Sequence, residues 1–188
     1  MYKQSLKLQW LFCLINKFAK LCRVYYFCAT IIFTQKNMTP DDSTPVAICS
    51  DHAGYELKEF VCDWLTEKNI PFINFGTYSP DSCDYADFAH PLADSIESGE
   101  SCCGIAICGS GEGVCMTVNK HQSIRGALCW NTDIAKLTRQ HNDANVCCLP
   151  ARFIEKETAI EIIELFFNTA FDGGRHQTRI EKIPLDED

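Results

Sequence analysis

No aspartate or glutamate occurs in the first 37 residues, which carry six lysines or arginines, while the rest of the chain holds 11 basic and 25 acidic residues. A body this acidic lacks the basic face that general nucleic-acid binding requires. No apolar run reaches the roughly 20 residues of a membrane-spanning helix; the longest, around 11–15 and 24–33, are short and separated. Neither nucleic acid nor membrane is therefore an expected partner. Among 13 cysteines there is no Cys-x-x-Cys pair and no Cys/His zinc spacing, so a redox dithiol and a bound metal are not expected. Internal repeats and low-complexity tracts are absent as well. What is present is an ordinary globular composition, 46% hydrophobic and 22% charged over 188 residues, enough for one compact domain.

The adjacent pairs Cys102–Cys103 and Cys147–Cys148 sit in apolar runs, where neighbouring strand side chains face opposite ways. Cysteines so placed are read as small buried residues of a reducing, cytoplasmic protein. Residues 1–45 are expected to be an extension outside the folded domain, and 46–188 the domain with its helical C-terminal tail. The extension shows no clean signal-peptide cleavage site. Translation starting at Met38 is the preferred explanation of the charge reversal there, a targeting segment the alternative.

From Val46 onward, short apolar runs alternate with helical periodicity. Strands are expected at 46–49, 71–75, 103–108, 125–129 and 145–149. Helices are expected at 55–68, 84–98 (kinked or restarted at Pro91), 112–121, 132–140 with Thr132 as N-cap, and 155–167. This alternation implies a five-stranded parallel sheet covered by helices on both faces, a three-layer α/β sandwich. In such a sheet ligands bind at the carboxyl ends of the strands. Those ends carry Ser50-Asp51-His52, Cys108-Gly109-Ser110-Gly111-Glu112-Gly113 and Pro150-Ala151-Arg152.

The glycine loop after Cys108 is neither a dinucleotide fingerprint, because its third glycine comes one residue early, nor a Walker loop, because no Gly-Lys-Ser/Thr follows. It opens a helix, where free N–H groups and the helix dipole attract negative charge. A cysteine ending the preceding strand faces that helix start, a setting that favours thiolates and supplies donors for an oxyanion beside the sulfur. A base beside an oxyanion hole is what proton abstraction next to a carbonyl needs. His141, just past a helix, is suited to proton transfer near neutral pH, and Asp51-His52 adds a carboxylate and an imidazole. Arg175 and Arg179, four apart, would share one face of a helical turn and suit a phosphate. His90 and His121 show no partner in the sequence.

Taken together, Ser50-Asp51-His52-Ala53-Gly54, Asp84-Tyr85, Cys108-Gly109-Ser110-Gly111, Asn119-Lys120, Arg139-Gln140-His141-Asn142-Asp143 and Gly173-Gly174-Arg175-His176 resemble the ribose-5-phosphate isomerase B family, with its galactose-6-phosphate isomerase relatives, over about 46–183. The resemblance implies a Rossmann-like fold, interconversion of ribose 5-phosphate and ribulose 5-phosphate through an enediolate, as in the pentose phosphate pathway, and no metal or cofactor. It also implies a homodimer, or a tetramer, with active sites shared between subunits. Residue by residue, it implies Cys108 as the base, backbone amides of Gly109 to Gly113 (Gly109, Ser110, Gly111, Glu112, Gly113) around the enediolate, and Ser110 assisting proton movement. It further implies His141 opening the sugar ring with Asp51, Tyr85 and Asn142 on the sugar, and His52, Arg152, Arg175 and Arg179 around the phosphate. Ala86, where the family often has proline, and the acidic Glu112 depart from its pattern. A six-carbon sugar phosphate as substrate, or a non-catalytic sugar-phosphate sensor, are the competing functions; retention of Cys108, Ser110 and His141 together speaks against a sensor.

Overall fold

The computed structural model describes Pro40 and residues 43–185; residues 1–37 and the expected start at Met38 lie outside the described residues. Ahead of the first strand, the carbonyl of Pro45 accepts from the Cys102 amide at 3.0 Å. The elements follow as β1 (Val46–Ser50), α1 (Tyr55–Glu67), β2 (Phe72–Asn74), α2 (Ala86–Glu97), β3 (Cys103–Cys108), α3 (Glu112–Val118), β4 (Gly126–Leu128), α4 (Thr132–Asn142), β5 (Val146–Pro150), α5 (Lys156–Asn168) and α6 (Arg175–Ile180).

The five strands form one parallel sheet in the order β2-β1-β3-β5-β4. Side-chain alternation on the central strands builds two separate cores. Val46, Ile48, Ile105, Ile107, Cys147 and Leu149 point to the face covered by α1, α4 and α5. Ala47, Cys49, Ala106, Cys108, Val146 and Cys148 point to the face covered by α2 and α3. The second set is smaller, so α2 and α3 lie on a floor of alanine, cysteine and valine. Many cysteines are thus core residues chosen for size.

Several sequence expectations shift in detail. Cys147 and Cys148 do face opposite cores. Cys102 and Cys103 do not, because Cys102 precedes the strand and is not held to its alternation; their sulfurs approach to 3.5 Å. Helix α2 runs unbroken through Pro91. The cap of α4 is Asn131, whose Oδ1 accepts from the Ile134 amide at 2.9 Å, and Thr132 is the first helical residue. Helix α3 stops at Val118 because Asn119 turns its side chain onto β4, donating to the Gly126 carbonyl and accepting from the Gly126 amide at 2.9 and 3.0 Å.

Ile105 is fully buried in the middle of β3. Ile105→Ala is expected to lower stability by about 2–5 kcal/mol, read as a shift in the urea midpoint with an unchanged slope.

Candidate active site

The chain leaves β1 toward β2 on one side and β3 toward β4 on the other. The crevice between the carboxyl ends of β1 and β3 is therefore the topological switch point, where open α/β sheets bind ligands. Asp51 and His52 stand on one lip, and Cys108 with its glycine loop on the other. The lips are tied by the Asp51 amide, which donates to the Ile107 carbonyl at 3.1 Å. The buried Asp51 carboxylate accepts from the Gly54 amide at 2.9 Å, which fixes the turn into α1. Nδ1 of His52 lies 3.2–3.3 Å from the backbone carbonyl and amide of Cys83, anchoring its ring to the loop before Tyr85.

Cys108 is 4% exposed, and its Sγ accepts the Gly111 N–H at 3.1 Å. Gly111 caps α3 with φ +75, the left-handed region that favours glycine. A Cβ there would run into the Leu128 side chain and lie 3.1 Å from the backbone of Leu149 and Pro150. The thiol of Cys49, on the same face, is pushed well up, by burial first and then by the neighbouring Cys108 and Asp51 charges. Cys49 is therefore held protonated.

The remaining carboxyl-end residues close around this loop. The Arg152 side chain lies against Gly109, with Nε 3.2 Å from where a Cβ would stand. The Arg152 amide donates to the Gly109 carbonyl at 3.0 Å. The exposed Tyr85 ring covers Gly113, 2.8 Å from a Cβ there. Ser110 and Glu112 are exposed, and the Glu112 amide lies 3.4 Å from Ser110 Oγ.

The other expected site residues lie elsewhere. Each helix runs antiparallel to the strands it joins, so the end of α4, with His141 and Asn142, reaches the amino end of the sheet. Strand β3 separates that end from Cys108 by roughly 15–20 Å, at about 3.3 Å per residue. There His141 stacks on the buried His176 of α6, ring centroids 4.4 Å apart and planes 2° from parallel. Arg175 and Arg179 are exposed on α6, and Arg175 Nε is 3.4 Å from His176 Nε2. Burial, then the His141 ring and the two arginines, hold the His176 pKa below the ordinary imidazole value. The expected site residues thus fall in two groups: Asp51, His52, Tyr85, Cys108 to Gly113 and Arg152 at the carboxyl end, and His141, Asn142, Arg175 and Arg179 at the amino end.

The turn bearing His141 and Asn142 is locked by a charge network. Asp143, in the left-handed region at φ 46, takes Arg139 Nη1 at 2.8 Å and Arg125 Nη2 at 3.0 Å. The buried Arg139 also donates to the Ala144 carbonyl at 2.6 Å and lies over the Phe166 ring at 5.7 Å. Sequence reasoning missed this network, and it missed two further features. Lys58 is fully buried, its ammonium paired with Glu59 and 3.4 Å from Asn74 Oδ1. Ser50, which ends β1, has its Oγ buried beside Asp51 with no hydrogen-bond partner among the described residues, a burial its strand-end position did not announce. His90 and His121, read as unpartnered, contact each other at 2.9 Å. His141, Asp172 and His176, and separately Asp94, Glu97 and His121, bring metal-ligating atoms together that no sequence spacing revealed.

A doubly wound parallel sheet with a buried thiol receiving a backbone N–H at its switch crevice has the makings of an aldose–ketose isomerase. Comparison with known proteins gives that class a family. The chain belongs to the ribose/galactose isomerase family, which it matches over residues 46–183. A probable ribose-5-phosphate isomerase B of Mycoplasma pneumoniae is 43% identical over 140 residues, covering 74% of this chain and 92% of the relative. The crystal structure of a ribose 5-phosphate isomerase from Thermotoga maritima matches with a TM-score of 0.74 at 47% identity, covering 75% of this chain and 97% of that one. The ribose-5-phosphate isomerase B of Mycoplasma genitalium with bound ribulose-5-phosphate matches with a TM-score of 0.71 at 41% identity, covering 75% and 94%.

Gly111→Ala is expected to cost about 1–2 kcal/mol for its left-handed backbone alone, and to lower turnover by displacing the amide on Cys108; thermal melts and initial rates check both. Asp143→Asn tolerates the same backbone but leaves two guanidinium groups without their carboxylate. It is expected to lose about 1–3 kcal/mol, measured by urea unfolding.

Proposed function

We propose that the chain isomerises ribose 5-phosphate and ribulose 5-phosphate through an enediolate. The observation that carries the proposal is the Gly111 N–H on Cys108 Sγ at the switch crevice. The sulfur takes the C2 proton of the open-chain aldose, breaking C2–H and forming S–H, while the electron pair moves onto the carbonyl oxygen. Backbone amides from Gly109 to Gly113 receive the resulting charge as an oxyanion hole. Ser110 passes the proton between the two sugar oxygens, and the thiol returns its own proton to C1. The electron pair stays within the substrate throughout, so the sequence of steps calls on no cofactor and no metal. Ring opening falls to His141 with Asp51, and sugar contacts to Tyr85 and Asn142. The phosphate is assigned to His52, Arg152, Arg175 and Arg179. The cysteines buried in the sheet, such as Cys49, Cys108, Cys147 and Cys148, fit a reducing, cytoplasmic setting, and no helix of the described residues is long and apolar enough to cross a membrane.

The division of the expected site residues between opposite ends of the sheet supports a homodimer in which the carboxyl end of one protomer meets the amino end of its partner. Each active site then takes Cys108 from one chain and His141, Asn142, Arg175 and Arg179 from the other.

Two inactive variants test chemistry and assembly at once. Cys108→Ser and His141→Ala are each expected to abolish most ribose 5-phosphate isomerisation. Unfolded and refolded together, they should regain roughly a quarter of wild-type activity, because half of randomly paired dimers are hybrids with one intact site of two. Near-normal turnover of Cys108→Ser would end the assignment of the base, a mixture that stays inactive would end the shared site, and a wild-type preference for six-carbon sugar phosphates would move the substrate assignment.

A further inference from the structure

His90, Asp94 and Glu97 stand four and three residues apart on α2 and form one stripe of that helix. Against the stripe lies His121, from the turn after α3. Its Nδ1 is 3.0 Å from Glu97 Oε2 and 3.4 Å from Asp94 Oδ1. One ligand atom from each of these three residues lies within 4.8 Å of the other two. We infer that Asp94, Glu97 and His121 bind a borderline divalent transition-metal ion of the zinc type, with His90 positioning His121.

Two carboxylate oxygens and one imidazole nitrogen are a donor set that such ions accept, leaving water to complete the shell. The outer contacts are already those of a ligating set. Nε2 of His121 is 2.9 Å from His90 Nδ1. A proton held on Nε2 by that contact leaves Nδ1 as the lone pair directed at the carboxylates. The second oxygen of Glu97 accepts from the Ser123 amide at 3.0 Å and its hydroxyl at 2.9 Å, so Glu97 presents one oxygen inward. The charge balance of two carboxylates and a neutral imidazole favours a dication.

The comparison within the molecule sharpens the choice. His141, Asp172 and His176 also gather ligand atoms within 4.8 Å. Their imidazole planes are parallel, however, so the in-plane lone pairs do not converge on one ion. Arg175 and Arg179 add positive charge there, which suits an anion. The Asp94–Glu97–His121 group contains none of the expected site residues. An ion there would pin the end of α2 to the α3–β4 turn, beside Gln122, whose Oε1 already accepts the Leu185 amide at 3.1 Å and holds the C-terminal tail.

The test uses the full chain, stripped with a chelator and titrated with Zn²⁺ by calorimetry and with Co²⁺ by absorption. One ion per chain is expected, with cobalt d–d bands and no thiolate-to-cobalt charge transfer. Glu97→Gln and His121→Ala should each weaken binding at least tenfold, His90→Ala by roughly 10- to 100-fold, and His176→Ala not at all. Zn²⁺ should raise the wild-type Tm and leave that of Glu97→Gln unmoved. Glu97→Gln keeps an acceptor for Ser123, and its Tm in chelator reports whether it folds; if it does not, His90→Ala, a change at an exposed side chain, carries the same test. Unchanged affinity in the variants, loss of binding in His176→Ala, a charge-transfer band from cysteine ligation, or no saturable binding would each overturn the proposal.

Discussion

Parallel pairing of all five strands forces each helix to run back along the strand it follows, and the placement of the expected site residues depends on that constraint. Every loop leaving a strand arrives at one end of the sheet, and every loop leaving a helix arrives at the other. Cys108 ends a strand; His141 ends a helix. No rearrangement of side chains brings them together within one chain, because the length of β3 lies between them. The fold therefore places the expected site residues in two groups, one at each end of the sheet, around an ordinary core.

At the carboxyl end, two similar thiols stand in contrasting settings. Cys49 and Cys108 pack in the same small-residue core under α2 and α3. Cys49 is sealed within β1 and held protonated by burial and by neighbouring negative charge. Cys108 ends its strand where the glycine cap of α3 turns an N–H onto sulfur. The difference lies in the next three residues and not in the cysteines. Gly111 can adopt the left-handed cap and fit under Leu128, and that fit aims the amide.

The strands and helices, and the gathering of Asp51, Cys108 and Arg152 at one end of the sheet, were legible because their signals are local. Apolar runs followed by those residues announced both the parallel sheet and the crevice at its carboxyl end. Boundaries shifted where a neighbouring polar side chain competed for the backbone, as Asn131 did for the cap of α4 and Asn119 for the end of α3. The separation of His141 from Cys108 follows from topology, which periodicity does not report. Lys58 was invisible for another reason: its charge is buried, and only the fold shows Glu59 and Asn74 beside its ammonium. Likewise His121 gains its carboxylates only when α2 and the α3–β4 turn are packed side by side.

The amino end depends on a buried charge in a way the carboxyl end does not. Arg139 is 5% exposed, so its guanidinium would be a liability without full pairing. Asp143, the Ala144 carbonyl, the Thr169 carbonyl and the Phe166 ring together satisfy it. Those partners come from the end of α4, the start of β5 and the end of α5, the three segments that must be in register for His141 to meet His176. Arg125 adds a second hold on the same turn through the Asn142 and Asp143 carbonyls at 3.0 and 2.9 Å. A buried pair of this kind adds little net stability over an apolar substitute, since desolvation offsets most of its attraction. Its geometric demands are strict, however, and they fall on the end of α4 that presents His141 and Asn142. The network is therefore best understood as fixing where that helix end stands.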